Sequence, residues 1–162
     1  MKRHIILLGI VLAGLGLMSA TLIDRNTATY KCMIQLTNYS GEGAYVVMSL
    51  INPEGQYDKT LYVLGDDDEW YFDITEWWGF QGKVRADLDA ITGETISGGE
   101  RAISVVEIEN EKLDAGYKIR FETAVEDQEY FTDDVEIELT SENIEGKFEG
   151  RGFIRYVRML PQ

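Results

Sequence analysis

The sequence has a single histidine, His4, and a single cysteine, Cys32, among its 162 residues. A Ser-His-Asp or Cys-His catalytic set needs a histidine in the folded part of the chain, and His4 belongs to an N-terminal targeting segment. A zinc cage needs several His or Cys ligands, and an internal disulfide needs two cysteines. Composition alone therefore excludes these three kinds of site.

Positive charge is also scarce. The chain has 15 Lys and Arg against 29 Asp and Glu, which gives a formal net charge of -14. Because phosphate contacts depend on clustered basic side chains, no nucleic-acid partner is expected for this acidic protein. Hydrophobic residues make up 44% and charged residues 27%, a balance typical of a folded domain. The length is enough for one domain with its own core.

Residues 1–23 have the pattern of an export segment. Lys2–His4 form a positive start, and Ile5–Met18 is an unbroken apolar or glycine run. Cleavage after Ala20 would make the segment a signal peptide, whereas counting the run through Ile23 brings it near the 20 or so residues of a spanning anchor. Under either interpretation the positive-inside rule places the rest of the chain outside the cytoplasm, in the periplasm or on the outer face of the inner membrane.

The rest of the chain, residues 24–162, shows mainly the two-residue alternation of β-strands. Ala44–Ile51 is more continuously apolar, which predicts a central strand. The three predicted strands of the second half each have one apolar and one charged face, and the charged residues, Glu122 among them, are expected on the solvent side, where acidic and basic strands can pair. Seven short strands about ten residues apart predict an all-β fold, an immunoglobulin-like antiparallel β-sandwich in one domain. Glu145–Gly152 is interpreted as a loop. The predicted strands are Tyr30–Leu36, Ala44–Ile51, Thr60–Leu64, Val106–Glu109, Tyr117–Glu122, Val135–Leu139 and Phe153–Met159.

One segment departs from this alternation. Trp70, Ile74 and the Trp77–Trp78 pair share a helical face, which predicts one short helix near Glu69–Trp78 that caps an end of the sandwich and ends at Gly79. The acidic run Asp66–Glu69 before it suits a helix N-terminus. A calcium site is the alternative, although the consecutive spacing differs from that of an EF-hand loop.

Two further features leave alternatives open. The aromatic cluster could be a stacking platform for a sugar or a flavin ring, or it could plug the core, as aromatics often do in small β domains. Cys32 lies on the apolar face of its strand, so a buried hydrophobe is expected rather than a reactive thiol. The cluster consists of Trp70, Tyr71, Phe72, Trp77, Trp78 and Phe80.

The segment Asp89–Thr95, DAITGET, is the most informative one. Its residues are turn formers, so an ordinary loop would explain it. It also resembles the flavinylation motif D-x-x-[S/T]-G-A-[S/T], in which a flavin transferase joins FMN to the final hydroxyl through a phosphoester. Asp89, Thr92, Gly93 and Thr95 occupy the matching positions. Glu94 stands where the motif has Ala, and its negative charge would repel an incoming phosphate.

A longer stretch resembles a known family. Thr60-Leu61, Trp70, Trp77-Trp78, the Asp89–Thr95 loop and Gly98-Gly99 are similar to the predicted periplasmic domain-of-unknown-function family 2271. The family's Pro-Gly after the loop is replaced here by Ser97-Gly98-Gly99. The resemblance implies an exported β-domain that is often encoded near PepSY-type membrane proteins and flavin transferases, in a setting of extracytoplasmic electron transfer.

These observations favour an exported accessory protein of an extracytoplasmic redox system that is not itself an enzyme. It would associate with a PepSY-type membrane protein and carry covalent FMN on Thr95. Thr92 and Gly93 would shape the turn, Asp89 would orient it or aid recognition by the transferase, and Trp77 or Trp78 would shield the ring. The alternative is a flavin-free, immunoglobulin-like module that binds a protein or a glycan. The lack of any histidine other than His4 disfavours an independent hydrolase.

Overall fold

A computed structural model of the chain describes residues 26–65, 67–84, 88 and 91–162. The predicted signal or anchor, residues 1–23, lies outside the described residues. None of the helices in the described ranges is long and apolar enough to cross a bilayer. All of the strands and both apolar clusters described below lie between Thr27 and Pro161.

Two sheets form the domain. The first has four strands, β1 (Thr27–Leu36), β5 (Arg101–Glu109), β8 (Lys147–Glu149) and β9 (Ile154–Pro161), in the order β5-β1-β9-β8. The second has five, β2 (Tyr45–Ile51), β3 (Tyr57–Leu64), β4 (Thr92–Gly93), β6 (Lys118–Ala124) and β7 (Tyr130–Glu138), in the order β4-β3-β2-β6-β7. The predicted all-β sandwich is therefore confirmed, and of the strand pairs in the described residues only β3 and β4 run parallel.

The main core lies between the two sheets and follows the alternation of the sequence. Residues predicted to face a shared interior do so, and all belong to or pack against one apolar cluster. They are Val106, Ile108, Tyr117, Ile119, Phe121, Val135 and Ile137. Cys32 is fully buried in the same cluster, and burial raises the pKa of its thiol to about 12. The thiol therefore stays protonated, and the interpretation as a buried hydrophobe is confirmed.

A second apolar cluster lies on the outer face of the five-stranded sheet. A 3₁₀ helix (Asp68–Asp73) and α1 (Thr75–Val84) cover this face and bury Tyr71, Ile74 and Trp77 against two valines of β2 and β3. The predicted short helix is thus confirmed, but its bounds differ from Glu69–Trp78 in two respects. The 3₁₀ helix ends before Ile74, and α1 runs on past Gly79 to Val84, because a glycine inside a helix lowers helix propensity without ending the helix.

The position of these helices also differs from the prediction, because they cover a sheet face and not an end of the sandwich. This explains why the central strand β2 is buried on both faces, with Val46, Met48 and Leu50 in the main core and Val47 in the second cluster. It also overturns the expected exposure of Glu122. That side chain is fully buried among the groups covered by the helices.

The charge pairing expected between strands is confirmed on β6 and β7. Lys118 lies 3.6 Å from Glu136 and 3.5 Å from Glu138, and Arg120 lies 2.8 Å from Glu136. The segment Glu145–Gly152, interpreted from the sequence as a loop, contains the short strand β8, which pairs with β9. The glycines of this segment indicated a loop, and a strand of only three residues is too short to show a clear alternation.

Candidate functional site

The described part of the Asp89–Thr95 loop, residues 91–95, is fixed to the sandwich at two points. Thr92 and Gly93 form β4 and pair in parallel with the end of β3, where the Gly65 N–H donates to the Gly93 carbonyl at 2.6 Å. Ile96 is buried and exchanges two backbone hydrogen bonds with Ala44, at 2.8 and 3.2 Å. Glu94 and Thr95 lie between these two anchored points, so the backbone presents them in a defined place.

Thr95 itself is exposed, as its proposed role as an acceptor requires. Its side chain lies directly over Gly43, the residue before the bridge to Ile96. A Cβ on Gly43 would come 2.4 Å from Thr95 Oγ1 and 2.7 Å from Thr95 Cβ, distances that real Cβ atoms do not show. Glycine at position 43 is therefore what leaves room for the Thr95 side chain.

Thr95 lies at a surface cleft of about 500 Å³. Four separate segments build it: the turn before β2, the start of the 3₁₀ and α1 region, the loop after β4, and the turn between β6 and β7. That last turn includes Asp127 in the left-handed backbone region, with φ at 57°. The lining residues are Glu42, Gly43, Tyr45, Trp70, Asp73, Ile74, Thr95, Ala124, Val125, Glu126, Asp127, Gln128 and Tyr130.

Three aromatic side chains line the cleft. Trp70 is 39% exposed, and Tyr45 and Tyr130 are half-buried. Aromatic side chains of this kind can stack on planar ligands. Tyr45 is held by Gly65, whose φ of 127° and missing Cβ allow the ring to lie against the backbone. The Tyr45 hydroxyl donates to the Asp67 carbonyl at 3.3 Å. The aromatic walls are therefore positioned by the fold.

Tyr130 connects the cleft to the buried Glu122. The Tyr57 hydroxyl donates to Glu122 Oε1 at 2.7 Å, and the Tyr130 hydroxyl donates to Glu122 Oε2. Burial is the largest cause of the raised pKa of the Glu122 carboxyl, and it also raises the pKa of both tyrosines. The two phenols thus remain protonated donors, and the network fixes the ring of Tyr130.

The cleft is strongly acidic. Glu42, Asp73, Glu126 and Asp127 line it, whereas no Lys or Arg does so among the described residues. Glu94 is exposed but does not line the cleft. A ligand there would be held by ring contacts and by groups that accept or donate hydrogen bonds, and negative charge would be disfavoured.

The structure treats the other site candidates differently. Asp89 lies outside the described residues. Thr92 and Gly93, expected to shape a turn, form the short strand β4. Of the two tryptophans considered for shielding a ring, Trp77 is fully buried, with its indole N–H donating to Thr60 Oγ1 at 2.9 Å, whereas Trp78 is 36% exposed but does not line the cleft. Trp70 has that position instead.

The acidic run before the helices acts as a cap. Asp67 Oδ1 accepts from the Glu69 N–H at 3.1 Å at the start of the 3₁₀ helix. Asp66 lies outside the described residues. Within the part of the chain that the structure describes, no group of three or more His, Cys, Asp or Glu side chains is placed to hold a metal ion. The helix-cap interpretation is therefore confirmed for Asp67.

Several residues of the cleft were missed by sequence reasoning. Glu42, Tyr45 and the turn from Glu126 to Gln128 lie far from the Asp89–Thr95 loop in sequence and are joined to it only by the fold. One sequence signal was available, the Gly41-Glu42-Gly43 stretch just before a predicted central strand. Such glycines indicate close approach of another segment, here the side chain of Thr95.

Comparison with known proteins gives one match. The model of the family described as predicted periplasmic protein, domain of unknown function 2271 (DUF2271), matches residues 27–156. No curated protein and no solved structure matches the chain significantly. The matched range spans all of the sandwich except the end of β9.

Proposed function

Since the chain belongs to this family of predicted periplasmic proteins and is extracytoplasmic, we propose that it is an accessory protein of an extracytoplasmic redox system that carries FMN on Thr95. The protein itself is not an enzyme in this proposal. It accepts the flavin from a flavin transferase and serves a PepSY-type membrane protein, the partner that the family resemblance implies.

One observation carries the proposal: an exposed threonine hydroxyl, in a loop that resembles a flavinylation motif, lies at a cleft with aromatic walls. The residues fit the flavin ring, whereas the acidic lining disfavours the negative charge of the phosphoester. The cleft volume of about 500 Å³ is within the range of roughly 300–1,000 Å³ typical of small-molecule sites. Trp70, Tyr45 and Tyr130 provide surface for a flat ring, and an attachment at Thr95 would keep that ring next to them.

The attachment needs only the Thr95 hydroxyl from this chain. Its oxygen forms the new P–O bond to the FMN phosphoryl group while the pyrophosphate bond of a donor dinucleotide, FAD, breaks. AMP leaves, and the hydroxyl proton passes to a base of the transferase. When bound, the flavin supplies one- or two-electron transfer. Gly43 and the anchored Ile96 hold the acceptor in place for this step.

The acidic lining has a functional consequence. Glu42, Asp73, Glu126 and Asp127 oppose any increase of negative charge in the cleft. Since reduction of a flavin at neutral pH adds negative charge to the ring, these carboxylates favour its oxidised form. We therefore expect the carrier to have a low midpoint potential, which suits a donor of electrons to extracytoplasmic acceptors.

Co-expression with a flavin transferase tests the proposal. Thr95→Ala should abolish the yellow fluorescent band on a denaturing gel, because the acceptor oxygen is lost. Glu94→Ala should raise incorporation, because it removes the negative charge beside the incoming phosphate. Ser97→Ala is the matched control, since it removes another exposed hydroxyl of the same region and should keep the label.

The outcome that contradicts the proposal is equally specific. If neither the parent protein nor Glu94→Ala is labelled while a known carrier in the same cells is, Thr95 is not an acceptor. A label that survives in Thr95→Ala would place the flavin on another residue and would also contradict the assignment.

The acidic cleft also favours a second candidate, a flavin-free module that binds a glycan. Carboxylates such as Glu126 and Asp127 can accept hydrogen bonds from sugar hydroxyls while a sugar ring stacks on Trp70. Under this proposal, Trp70→Ala abolishes binding to a glycan array and Thr95→Ala does not. Retention of binding by Trp70→Ala would contradict it.

A further inference from the structure

Strand β5 forms one edge of the four-stranded sheet and pairs only with β1 in that sheet. At the two ends of this pair, the Leu36 N–H donates to the Glu100 carbonyl and the Asn110 N–H donates to the Asn26 carbonyl. Because hydrogen-bonded pairs alternate along an antiparallel ladder, the even-numbered residues of β5 are those that bond to β1. The backbone groups of its odd-numbered residues therefore point away from β1, to the edge of the sheet.

These outward backbone groups have no partner strand within the part of the chain that the structure describes. In the same residues, no backbone hydrogen bond joins Ile103 or Val105 to a segment beyond the edge. Lys59 of β3 reaches β5 at Glu109, 3.1 Å away, which is near the end of the strand. The stretch Arg101–Glu107 is thus an open edge of a kind that natural proteins normally cover or protect.

The side chains at the odd-numbered positions of this stretch are exposed on the outer face of the sheet. Ile103 and Val105 are 60% and 56% exposed, high values for large hydrophobic side chains. Arg101 and Glu107 flank them, and neither belongs to an ion pair among the described residues. Two exposed apolar side chains therefore lie between a cation and an anion that lack ionic partners.

This order of residues is complementary to itself. When two copies of β5 run antiparallel with Ser104 opposite Ser104, each Ile103 lies opposite Val105 of the second copy, and each Arg101 lies opposite Glu107 of the second copy. Directly opposed residues point to the same side of a sheet, so the apolar pairs and the charged pairs form on one face. The same register joins odd-numbered residues to odd-numbered residues, whose backbone groups are the outward ones.

The neighbouring registers lack this match. The smallest shift that still pairs the outward backbone groups moves the second copy along by two residues. In one direction it places Glu107 opposite Ile103, and in the other it places Arg101 opposite Val105. Each of these shifts brings a charged side chain against an apolar one, so the register centred on Ser104 is favoured.

The other edge strands are poorly suited to self-pairing. β7, the other long edge strand, carries Asp133, Asp134, Glu136 and Glu138 and no basic residue, so two copies of it would bring like charges together. The remaining edge strands, β4 and β8, have only two and three residues. Among the described strands, β5 is therefore the edge that fits a second copy of the chain.

We propose that the protein forms a two-fold symmetric dimer through antiparallel pairing of β5 with β5 of a second copy. The two four-stranded sheets then join into one continuous sheet, and the open edge of each copy is removed. Backbone hydrogen bonds along the edge and contact between Ile103 and Val105 of the second copy stabilise the dimer. The net charge of -14 on each copy opposes this little, because charges more than about 8 Å apart are largely screened at physiological ionic strength.

Sedimentation equilibrium tests the inference with the exported part of the chain, residues 24–162, which contains all described strands and both apolar clusters. We expect a reversible equilibrium between monomer and dimer. Arg101→Glu replaces two attractive pairs in the dimer by two repulsive ones, so it should raise the dissociation constant about tenfold or more, and Glu107→Arg should do the same. The double variant restores opposite charges and should return the dissociation constant close to the parental value.

This recovery separates the charge pair from the contacts that Arg101 makes within its own chain. Arg101 donates to Gln35 Oε1 at 3.1 Å and to the Tyr156 hydroxyl at 3.2 Å. The single variant Arg101→Glu and the double variant both lose these bonds. A dimer that is weak in the single variant and restored in the double variant therefore reports on the pairing with Glu107 of the second copy.

Two matched controls separate the β5 edge from general charge and hydrophobicity. Arg158→Glu makes the same charge change on exposed β9, two strands away from the edge, and should change the dissociation constant by less than about twofold. Ile103→Asp should abolish the dimer, whereas Phe72→Asp, at a residue 57% exposed on the 3₁₀ helix, should not. Amide hydrogen exchange at Ile103 and Val105 should slow as the dimer forms, and circular dichroism checks that each variant is folded.

Four results would overturn the inference: a monomer at every concentration, equal effects of Arg101→Glu and Arg158→Glu, no recovery in the double variant, or a dimer that persists in Ile103→Asp. The last would place the interface elsewhere on the molecule. A monomer that binds anionic vesicles through Ile103 would assign this edge to a membrane instead. None of these results depends on flavin at Thr95, so the proposed function is tested separately.

Discussion

Substitution of Gly43 by alanine tests the structural basis of the Thr95 position. The new Cβ would lie 2.4 Å from Thr95 Oγ1 and 2.7 Å from Thr95 Cβ. Thr95 cannot retreat freely, because the next residue, Ile96, is bonded to Ala44 through both backbone groups. Overpacking of this kind costs about 1–3 kcal/mol, so Gly43→Ala should lower the free energy of unfolding by that amount.

Urea unfolding followed by tryptophan fluorescence measures this change, because Trp77 is fully buried in the native state. Gly79→Ala is the control. Gly79 lies within α1, and a Cβ there meets nothing within 4 Å, so alanine should stabilise the protein by about 0.5–1 kcal/mol through helix propensity. If Gly43→Ala were as stable as the parent protein, the close packing of Thr95 on Gly43 would be refuted.

The same substitution has a functional consequence. Gly43→Ala keeps the Thr95 hydroxyl but shifts it relative to the cleft, so flavin incorporation by a transferase should be slower than in the parent protein. Gly79→Ala should be labelled at the parental rate. Equal labelling rates in both variants would contradict the idea that Gly43 positions the acceptor.

Two further predictions concern buried groups. The pKa of the Glu122 carboxyl is raised by burial above its ordinary value of 4.5, so the folded state binds this proton more tightly than the unfolded state does. The free energy of unfolding should therefore fall as the pH rises above about 4.5. Glu122→Gln should lack this decline when urea unfolding is compared between pH 4 and pH 7, and an unchanged pH dependence would contradict the assignment. Cys32 should resist alkylation in the native protein and react fully in urea, because its thiol is buried with a pKa of about 12; rapid native labelling would contradict its burial.

Strand alternation made most of the sandwich predictable. In β6, Ile119 and Phe121 face the main core and Lys118 and Arg120 form cross-strand ion pairs, as a half-buried strand should. Glu122 follows the same alternation but is buried, because the helices that cover its face come from residues about 45 positions earlier in the chain. The alternation within a strand does not indicate whether another segment of the chain will cover its polar face.

The helical region shows a different limit. The spacing of Trp70, Ile74 and Trp77 predicted a helix correctly, but not the break at Ile74, where the 3₁₀ turn gives way to α1. Tertiary contacts decide there, since Tyr71 and Trp77 pack on the outer sheet face with ring centres 5.1 Å apart. Trp70 is not part of this buried cluster and lines the cleft instead.

The candidate site was predictable only in part. Thr95 was selected as a candidate acceptor from its loop, and the structure shows that it is exposed. The cleft could not be predicted from the sequence, because its lining residues, from Glu42 to Tyr130, come from four segments that lie far apart in the chain. Proximity of this kind arises from sheet topology, here from the parallel pairing of Gly93 with β3 and the bridge of Ile96 to Ala44.

The intact mass of the protein purified from its native host tests the central claim most directly. The account predicts a species heavier than the polypeptide by one FMN less one water, with the added mass located on Thr95 by fragmentation. The same spectrum shows whether residues before about position 21 have been removed. A polypeptide without added mass, from cells in which other flavin carriers are labelled, would contradict the claim that Thr95 carries FMN.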